Sequence, residues 1–326
     1  MQIAAPPQKI AIIGAGALGL YYGSLLARHE KETDTEVHFL LRSDYEAVRR
    51  EGIRVRSING DFSILFPRVH NTPQSIRVVD LCLIGLKTTA NHMYGPLIEP
   101  IFRAGRTVIL CLQNGIGNED RLAQLFDSAA ILGGTAFLCS NRVSPGQIEH
   151  TEYGHVAVAP YRSSFYGNVD AIVELLRRSA IDCESLENYT EMRWRKQVWN
   201  VPFNGLCTLY NQPTDLILAN PDMLGRVRAI MREVIELGRA VHQAETPYLP
   251  WNLDASFIED QVAKTRTMGA YLPSMLLDRR AGRDLEIESI VGACLETRDR
   301  LGLTLPIPEI ERLYKGLCNG LSSNRQ

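Results

Sequence analysis

No two cysteines in this chain stand at C-x-x-C spacing. The seven present, at 82, 111, 139, 183, 207, 294 and 318, are scattered. That argues against a zinc ribbon or a disulfide frame and reads as reduced core residues of a cytoplasmic protein. An excess of one charge is lacking too. Lys and Arg total 35 against 37 Asp and Glu, a formal net charge of −2. Neither nucleic acid nor an anionic membrane is therefore expected as a partner. Long apolar runs are missing: residues 78–86 are interrupted by Asp80, and residues 107–112 are too few to span a bilayer. Pro6 and Pro7 lead straight into a strand-like run with no basic segment before an apolar one, so no secretory leader is expected. There is no internal repeat and no low-complexity linker. The seven His form no i, i+4 pair and have no Cys or carboxylate cluster at ligand spacing, so no metal is expected. What remains is ordinary globular material of 326 residues, 45% hydrophobic and 22% charged. At about 100–200 residues per domain the length suits two domains.

The first half alternates short β-type runs with helical stretches. Strands are expected at 9–13, 36–41, 54–58, 62–69, 80–86, 107–112 and 130–138, with a helix over 18–28. Nearly continuous apolar strands alternating with helices suggest a parallel sheet buried on both faces. After the turn Ser144-Pro145-Gly146, residues 147–150 and 155–159 alternate like a hairpin at the edge of that sheet. Beyond about Tyr189 the pattern is helical, over 191–209, 222–243, 257–265, 284–301 and 308–317. The expected architecture is α/β: an N-terminal Rossmann-type doubly wound domain over 1–188 and an all-helical C-terminal domain over 189–326.

Gly14-Ala15-Gly16-Ala17-Leu18-Gly19 fits G-x-G-x-x-G between a strand and a helix. The glycines serve the tight turn, the approach of backbone to pyrophosphate, and helix–strand packing. The helix N-terminus offers free N–H groups and a partial positive charge to the phosphates. At the end of the second strand stands Leu41-Arg42-Ser43, with no carboxylate before Asp44. A guanidinium there suits the extra phosphate of NADP, which it can bond bidentately. The alternative makes Arg42 a solvated loop residue and gives the ribose to Asp44. Two further strand ends lead into Lys87-Thr88-Thr89 and Gln113-Asn114-Gly115, where ligands of open parallel sheets bind. By chemistry alone, Lys87 and Asn114 are also compatible with plain turn roles.

In Trp194-Arg195-Lys196-Gln197-Val198-Trp199-Asn200-Val201-Pro202-Phe203-Asn204, the residues Lys196, Asn200 and Asn204 fall at i, i+4 and i+8. They line one helical stripe that drifts about 40° per step. The stripe either faces solvent or is satisfied in a polar cavity, because burial without partners is costly.

These motifs, together with Ser274-Met275-Leu276, Asp278 and Glu286-Ile287-Glu288, resemble the ketopantoate reductase (2-dehydropantoate 2-reductase) family nearly end to end. The resemblance implies NADPH-dependent reduction of 2-dehydropantoate to pantoate, a step toward pantothenate and coenzyme A. It implies Lys196 as general acid and Glu286 as the active-site acid that also touches the cofactor. Asn200, Asn204 and Ser274 would bind substrate, Asn114 would sit between nicotinamide and substrate, and Arg42 would take the 2′-phosphate. Gly14, Ala15, Gly16, Ala17, Leu18, Gly19 and Lys87 would complete the cofactor site. The expected partner is a small 2-oxo acid, and a homodimer is compatible with the sequence. Tyr271, Leu277, Gly205 and Thr214 depart from the family pattern, and Pro202 precedes the second Asn. All surround the substrate pocket, so they leave room for a paralogue acting on another 2-oxo acid. A non-catalytic NADPH-binding redox sensor is the alternative of a different class, and it has no need of the full set of polar residues.

Overall fold

A computed structural model describes residues 7–161 and 166–322. Residues 1–6, on which the expected lack of a leader rests, and residues 162–165 and 323–326 lie outside the described residues. The chain divides into two compact units. One takes the described residues up to Gln113 together with Asn118–Tyr189, and the other takes Asn114–Gly117 with the chain from Thr190 onward.

The first unit runs β1 (Lys9–Ile13), α1 (Ala17–Arg28), α2 (Glu30–Thr33), β2 (Glu36–Leu40), α3 (Tyr45–Glu51), β3 (Ile53–Ser57), β4 (Phe62–Ile64) and β5 (Arg68–His70). It continues with β6 (Leu81–Ile84), α4 (Tyr94–Ile98), β7 (Val108–Cys111), α5 (Asn118–Leu125), β8 (Ala130–Ser144), β9 (Gln147–Pro160), α6 (Tyr166–Arg178) and β10 (Cys183–Ser185). The strands form one sheet of order β4-β3-β9-β8-β7-β6-β1-β2-β5, with β10 on β9. From β5 to β8 every pair is parallel. Counted in chain order, those six strands have the 3-2-1-4-5-6 arrangement of a doubly wound dinucleotide-binding sheet. Every residue of β6 and β7 is buried, as continuous apolar strands covered on both faces should be. Helix α1 is buried from Gly19 to Leu26 because the sheet curls over it. The Tyr22 hydroxyl donates to the Gly154 carbonyl at 3.3 Å, and the Arg28 guanidinium lies 4.8 Å over the Phe62 ring.

Two strand expectations are corrected. The single strand over 62–69 is two strands, interrupted at Leu65-Phe66-Pro67, where Pro67 has no N–H to give a ladder. Its halves go to opposite edges of the sheet, β4 onto β3 and β5 onto β2. The edge hairpin within 147–159 is instead one long strand, β9, paired antiparallel with β8 from Leu132↔Pro160 to Ser144↔Gln147. Tyr153, at φ +63°, disturbs its alternation beside a register shift. Nor is β9 an edge, since β3 and β10 occupy its other side.

The second unit is helical: α7 (Tyr189–Tyr210), α8 (Thr214–Ala219), α9 (Pro221–Glu245), α10 (Ser256–Thr267), α11 (Ser274–Arg280), α12 (Ala293–Arg300) and α13 (Pro308–Ser322). Its core gathers Trp194, Val198, Phe203, Ile230, Val234, Ile290 and Leu313. Gly205 admits α13, because a Cβ there would lie 2.5 Å from Leu313 Cδ2. The helix expected over 284–301 starts later, with a π turn over Glu288–Gly292 that leads into α12. Arg283 is drawn back toward α11 by its N–H bond to the Asp278 carbonyl (2.9 Å) and its ion pair with the Asp278 carboxylate (2.8 Å). The segment up to Glu286 therefore stays irregular.

Candidate active site

In the first unit, Gly14 ends β1 at φ +90°, and a Cβ there would lie 2.4 Å from the Leu86 nitrogen, so only glycine fits. Gly19 packs as closely, its Cβ position 2.2 Å from the Gly14 carbonyl oxygen. Gly16 is the opposite case: it is exposed, and a Cβ would meet nothing within 4 Å. Ala15, Ala17 and Leu18, all half-buried, complete the turn. Helix α1 has no acidic residue in its first turn and no side-chain cap. Its first N–H groups and the positive end of its dipole are thus open to an anionic ligand.

Arg42 is exposed just beyond β2. Asp44 is buried, and its carboxylate is committed. It accepts from Arg142 Nη1 at 2.5 Å, from Ser43 Oγ at 2.9 Å and from the Gly146 N–H at 3.2 Å. Any ribose hydroxyl offered to Asp44 would have to share its carboxylate with these three donors. Lys87 is exposed at the start of a 3-10 turn, Thr88–Met93, beyond β6. Beneath that turn Gln113 donates to Asn91 at 2.8 Å, and Asn91 donates to Asn118 at 2.8 Å. The Tyr94 hydroxyl donates to Gln113 Oε1.

In the second unit, α7 presents the polar stripe. Lys196 is half-buried, while Asn200 and Asn204 are each only 2% exposed. The solvent-facing reading of the stripe is thereby overturned for both asparagines. Asn204 Nδ2 donates to Asn200 Oδ1 at 3.3 Å. Asn204 Oδ1 accepts the Met275 N–H at 3.0 Å and the Ser274 hydroxyl at 3.4 Å. Asn200, Asn204 and Ser274 thus form one hydrogen-bonded chain. Asn200 Nδ2 at its end is buried without a partner among the described residues, a donor left for a ligand oxygen. Glu286 is 3% exposed and precedes the π turn, so it is not a solvated acid in the first turn of a helix. Asn114 is half-buried on the segment Asn114–Gly117.

Thr214, one of the departures, is fully buried and donates to the Gly269 carbonyl at 2.9 Å and the Tyr271 carbonyl at 3.3 Å. It acts as a backbone clamp. Burial pushes the thiols of Cys82, Cys183, Cys207 and Cys294 up to about 12, which leaves them inert as nucleophiles. Sequence reading missed Arg142 and Gln197. Arg142 stands in no motif, Gln197 lies between the stripe residues Lys196 and Asn200, and each bonds a residue more than ninety positions away.

A Rossmann-type nucleotide turn followed by a helical unit with buried amide and hydroxyl groups defines a class of two-unit oxidoreductase. Comparison with known proteins makes this specific. Residues 10–163 match the family model "Ketopantoate reductase PanE/ApbA", and residues 188–317 match its C-terminal counterpart. The chain belongs to the ketopantoate reductase family, and it is an oxidoreductase. It is 36% identical to a 2-dehydropantoate 2-reductase of Nostoc sp. over 95% of this chain and 94% of the relative. It is similar to the crystal structure of 2-dehydropantoate 2-reductase from Geobacter metallireducens, with TM-score 0.87 and 43% identity over 95% and 98% of the two chains. A D-mandelate dehydrogenase solved with NADH and anilino(oxo)acetate shares the fold at TM-score 0.84 and 22% identity, covering 97% of this chain and 99% of that one.

Proposed function

We propose that this chain reduces 2-dehydropantoate to pantoate with NADPH, supplying the precursor of pantothenate and coenzyme A. The observation that carries the reading is the buried chain Asn200–Asn204–Ser274, whose free Asn200 Nδ2 lies one helical turn beyond Lys196. A buried orphan donor is costly unless a ligand completes it. On the cofactor side the fit rests on the open Gly16 backbone, the uncapped start of α1 and the exposed Arg42.

NADPH, when bound, supplies the hydride to the C2 ketone. Negative charge then develops on the carbonyl oxygen, and the Lys196 ammonium stabilises it and delivers the proton. Glu286 holds that ammonium in place and contacts the cofactor. Ser274 takes the substrate carboxylate, and Asn200 with Asn204 takes the hydroxyl. Asn114 sits between nicotinamide and substrate. Gly14 to Gly19 and Lys87 hold the cofactor, with Arg42 on its 2′-phosphate.

A second reading, reduction of a bulkier 2-oxo acid, draws on Tyr271. Its ring lies 6.1 Å from that of Trp199, and it stands three residues before Ser274. NADPH oxidation followed across a panel of 2-oxo acids decides between them. The expected outcome is highest kcat/KM for 2-dehydropantoate. A higher value for an aryl or longer-chain 2-oxo acid replaces the first reading by the second.

A further inference from the structure

Gln197 is 1% exposed on α7, between Lys196 and Asn200, and its Oε1 is buried without a partner among the described residues. A leucine of similar volume would carry no such cost, so stability does not explain a glutamine here. Among the described residues its side chain makes one hydrogen bond, from Nε2 to the carbonyl of Ile290 at 3.0 Å. Ile290 belongs to the π turn Glu288–Gly292, where the Ala293 N–H reaches back five residues to the Glu288 carbonyl. Such a turn opens the helical ladder and exposes carbonyls to outside donors, and it is common at functional sites.

The same turn gathers two other segments. The Ile116 N–H donates to the Ser289 carbonyl at 3.1 Å. That approach is so close that a Cβ on Gly115, itself at φ +84°, would lie 2.2 Å from the Ser289 oxygen. The turn also closes on Glu286, whose carbonyl accepts from the Ile290 N–H at 3.1 Å and from Ser289 Oγ at 3.3 Å. Two stretches of chain, those bearing Asn114 and the Lys196–Asn200 stripe, are thus pinned to consecutive carbonyls of one irregular turn, and the donors of the same turn hold the carbonyl of Glu286.

We propose that Gln197 is a positioning residue: through the Ile290 carbonyl it fixes α7 to the π turn and so sets Lys196 and Asn200 against Glu286 and Asn114. The inference rests on the reductase reading above, and it makes the amide donor of Gln197, not its bulk, the feature that matters.

The test compares the full-length wild type with Gln197→Leu and with Gln197→Glu, which keeps the shape but replaces the donor by an oxygen. Steady-state kinetics, NADPH titration and amide hydrogen exchange of residues 114–117 and 287–292 are the readouts. Both variants are expected to lose at least about tenfold in kcat, since catalytic groups held slightly out of place lose rate steeply. NADPH affinity should stay within twofold, and exchange in both segments should quicken. For Gln197→Leu the thermal midpoint should stay close to that of the wild type, because the orphaned oxygen goes together with the bond to the Ile290 carbonyl. If either variant folds and keeps kcat within twofold, or leaves exchange in both segments unchanged, the proposal is overturned. A wild-type protein that reduces no 2-oxo acid overturns the reductase reading instead, and hydrogen exchange then decides on Gln197 alone.

Discussion

Asp44 and Arg142, 98 residues apart in sequence, form an ion pair with 2.5 Å between Oδ1 and Nη1, the carboxylate side almost wholly buried. The first carboxylate after β2 is therefore engaged, while Arg42 two residues earlier is exposed and makes no ion pair among the described residues. NADPH is expected to bind much more tightly than NADH. A charge-assisted hydrogen bond is worth about 1.5–3 kcal/mol, so Arg42→Ala should weaken NADPH about 10–100-fold and leave NADH nearly unchanged. Thermal-shift titrations with both cofactors check this. Equal stabilisation of the wild type by the two would refute the assignment.

Lys196→Ala should lower kcat by about 10²–10⁴-fold, the usual span of general acid catalysis. NADPH affinity should stay nearly intact, because the role assigned to Lys196 is on the substrate carbonyl. Stopped-flow or steady-state NADPH oxidation, with a separate cofactor titration, separates the two effects. A variant that keeps more than about a tenth of the wild-type kcat has lost no proton donor.

The substrate hydroxyl is assigned to Asn200, backed by Asn204, and an analogue lacking it leaves the buried Asn200 Nδ2 unpaired at about 1–3 kcal/mol. The deoxy acid 2-oxo-3,3-dimethylbutanoate should accordingly show kcat/KM at least about tenfold below that of 2-dehydropantoate. Asn200→Ala should narrow this gap. Equal turnover of the two acids by the wild type would mean that the hydroxyl is not read.

His38 supplies a pH dependence unconnected with catalysis. Its Nδ1 lies 2.9 Å from Nε2 of His70. Burial first, then the charges of Lys9 and His70, push its imidazole from the usual 6.5 down to about 4. The depressed group is neutral in the folded protein at pH 7 and takes up its proton more readily once unfolded. Stability from this site is therefore complete above about 6.5 and is lost as pH falls toward about 4. Thermal midpoints measured from pH 7.5 to 4 should drop through that window, and His38→Asn should flatten the drop. A midpoint that is level down to pH 4.5 would rule the site out as a contributor.

Local pattern in the sequence determined the strand–turn–helix of Gly14 to Gly19, the apolar strands of the nucleotide-binding sheet and the helical second half. It also laid out the Lys196–Asn200–Asn204 stripe. Each of these is written within one or two turns of chain, where a period of 2 or 3.6 and the special backbone of glycine leave a mark. Only the tertiary structure decided which side of α7 is buried, that residues 62–70 split between two sheet edges, and that β9 lies inside the sheet. The same holds for the grip of Arg142 on Asp44 and of Gln197 on the Ile290 carbonyl, across 98 and 93 residues. A polar side chain carries the same letter in the sequence whether it faces water or a carbonyl far along the chain. Its partner is chosen when the sheet and helices close around it and an unpaired polar group becomes costly.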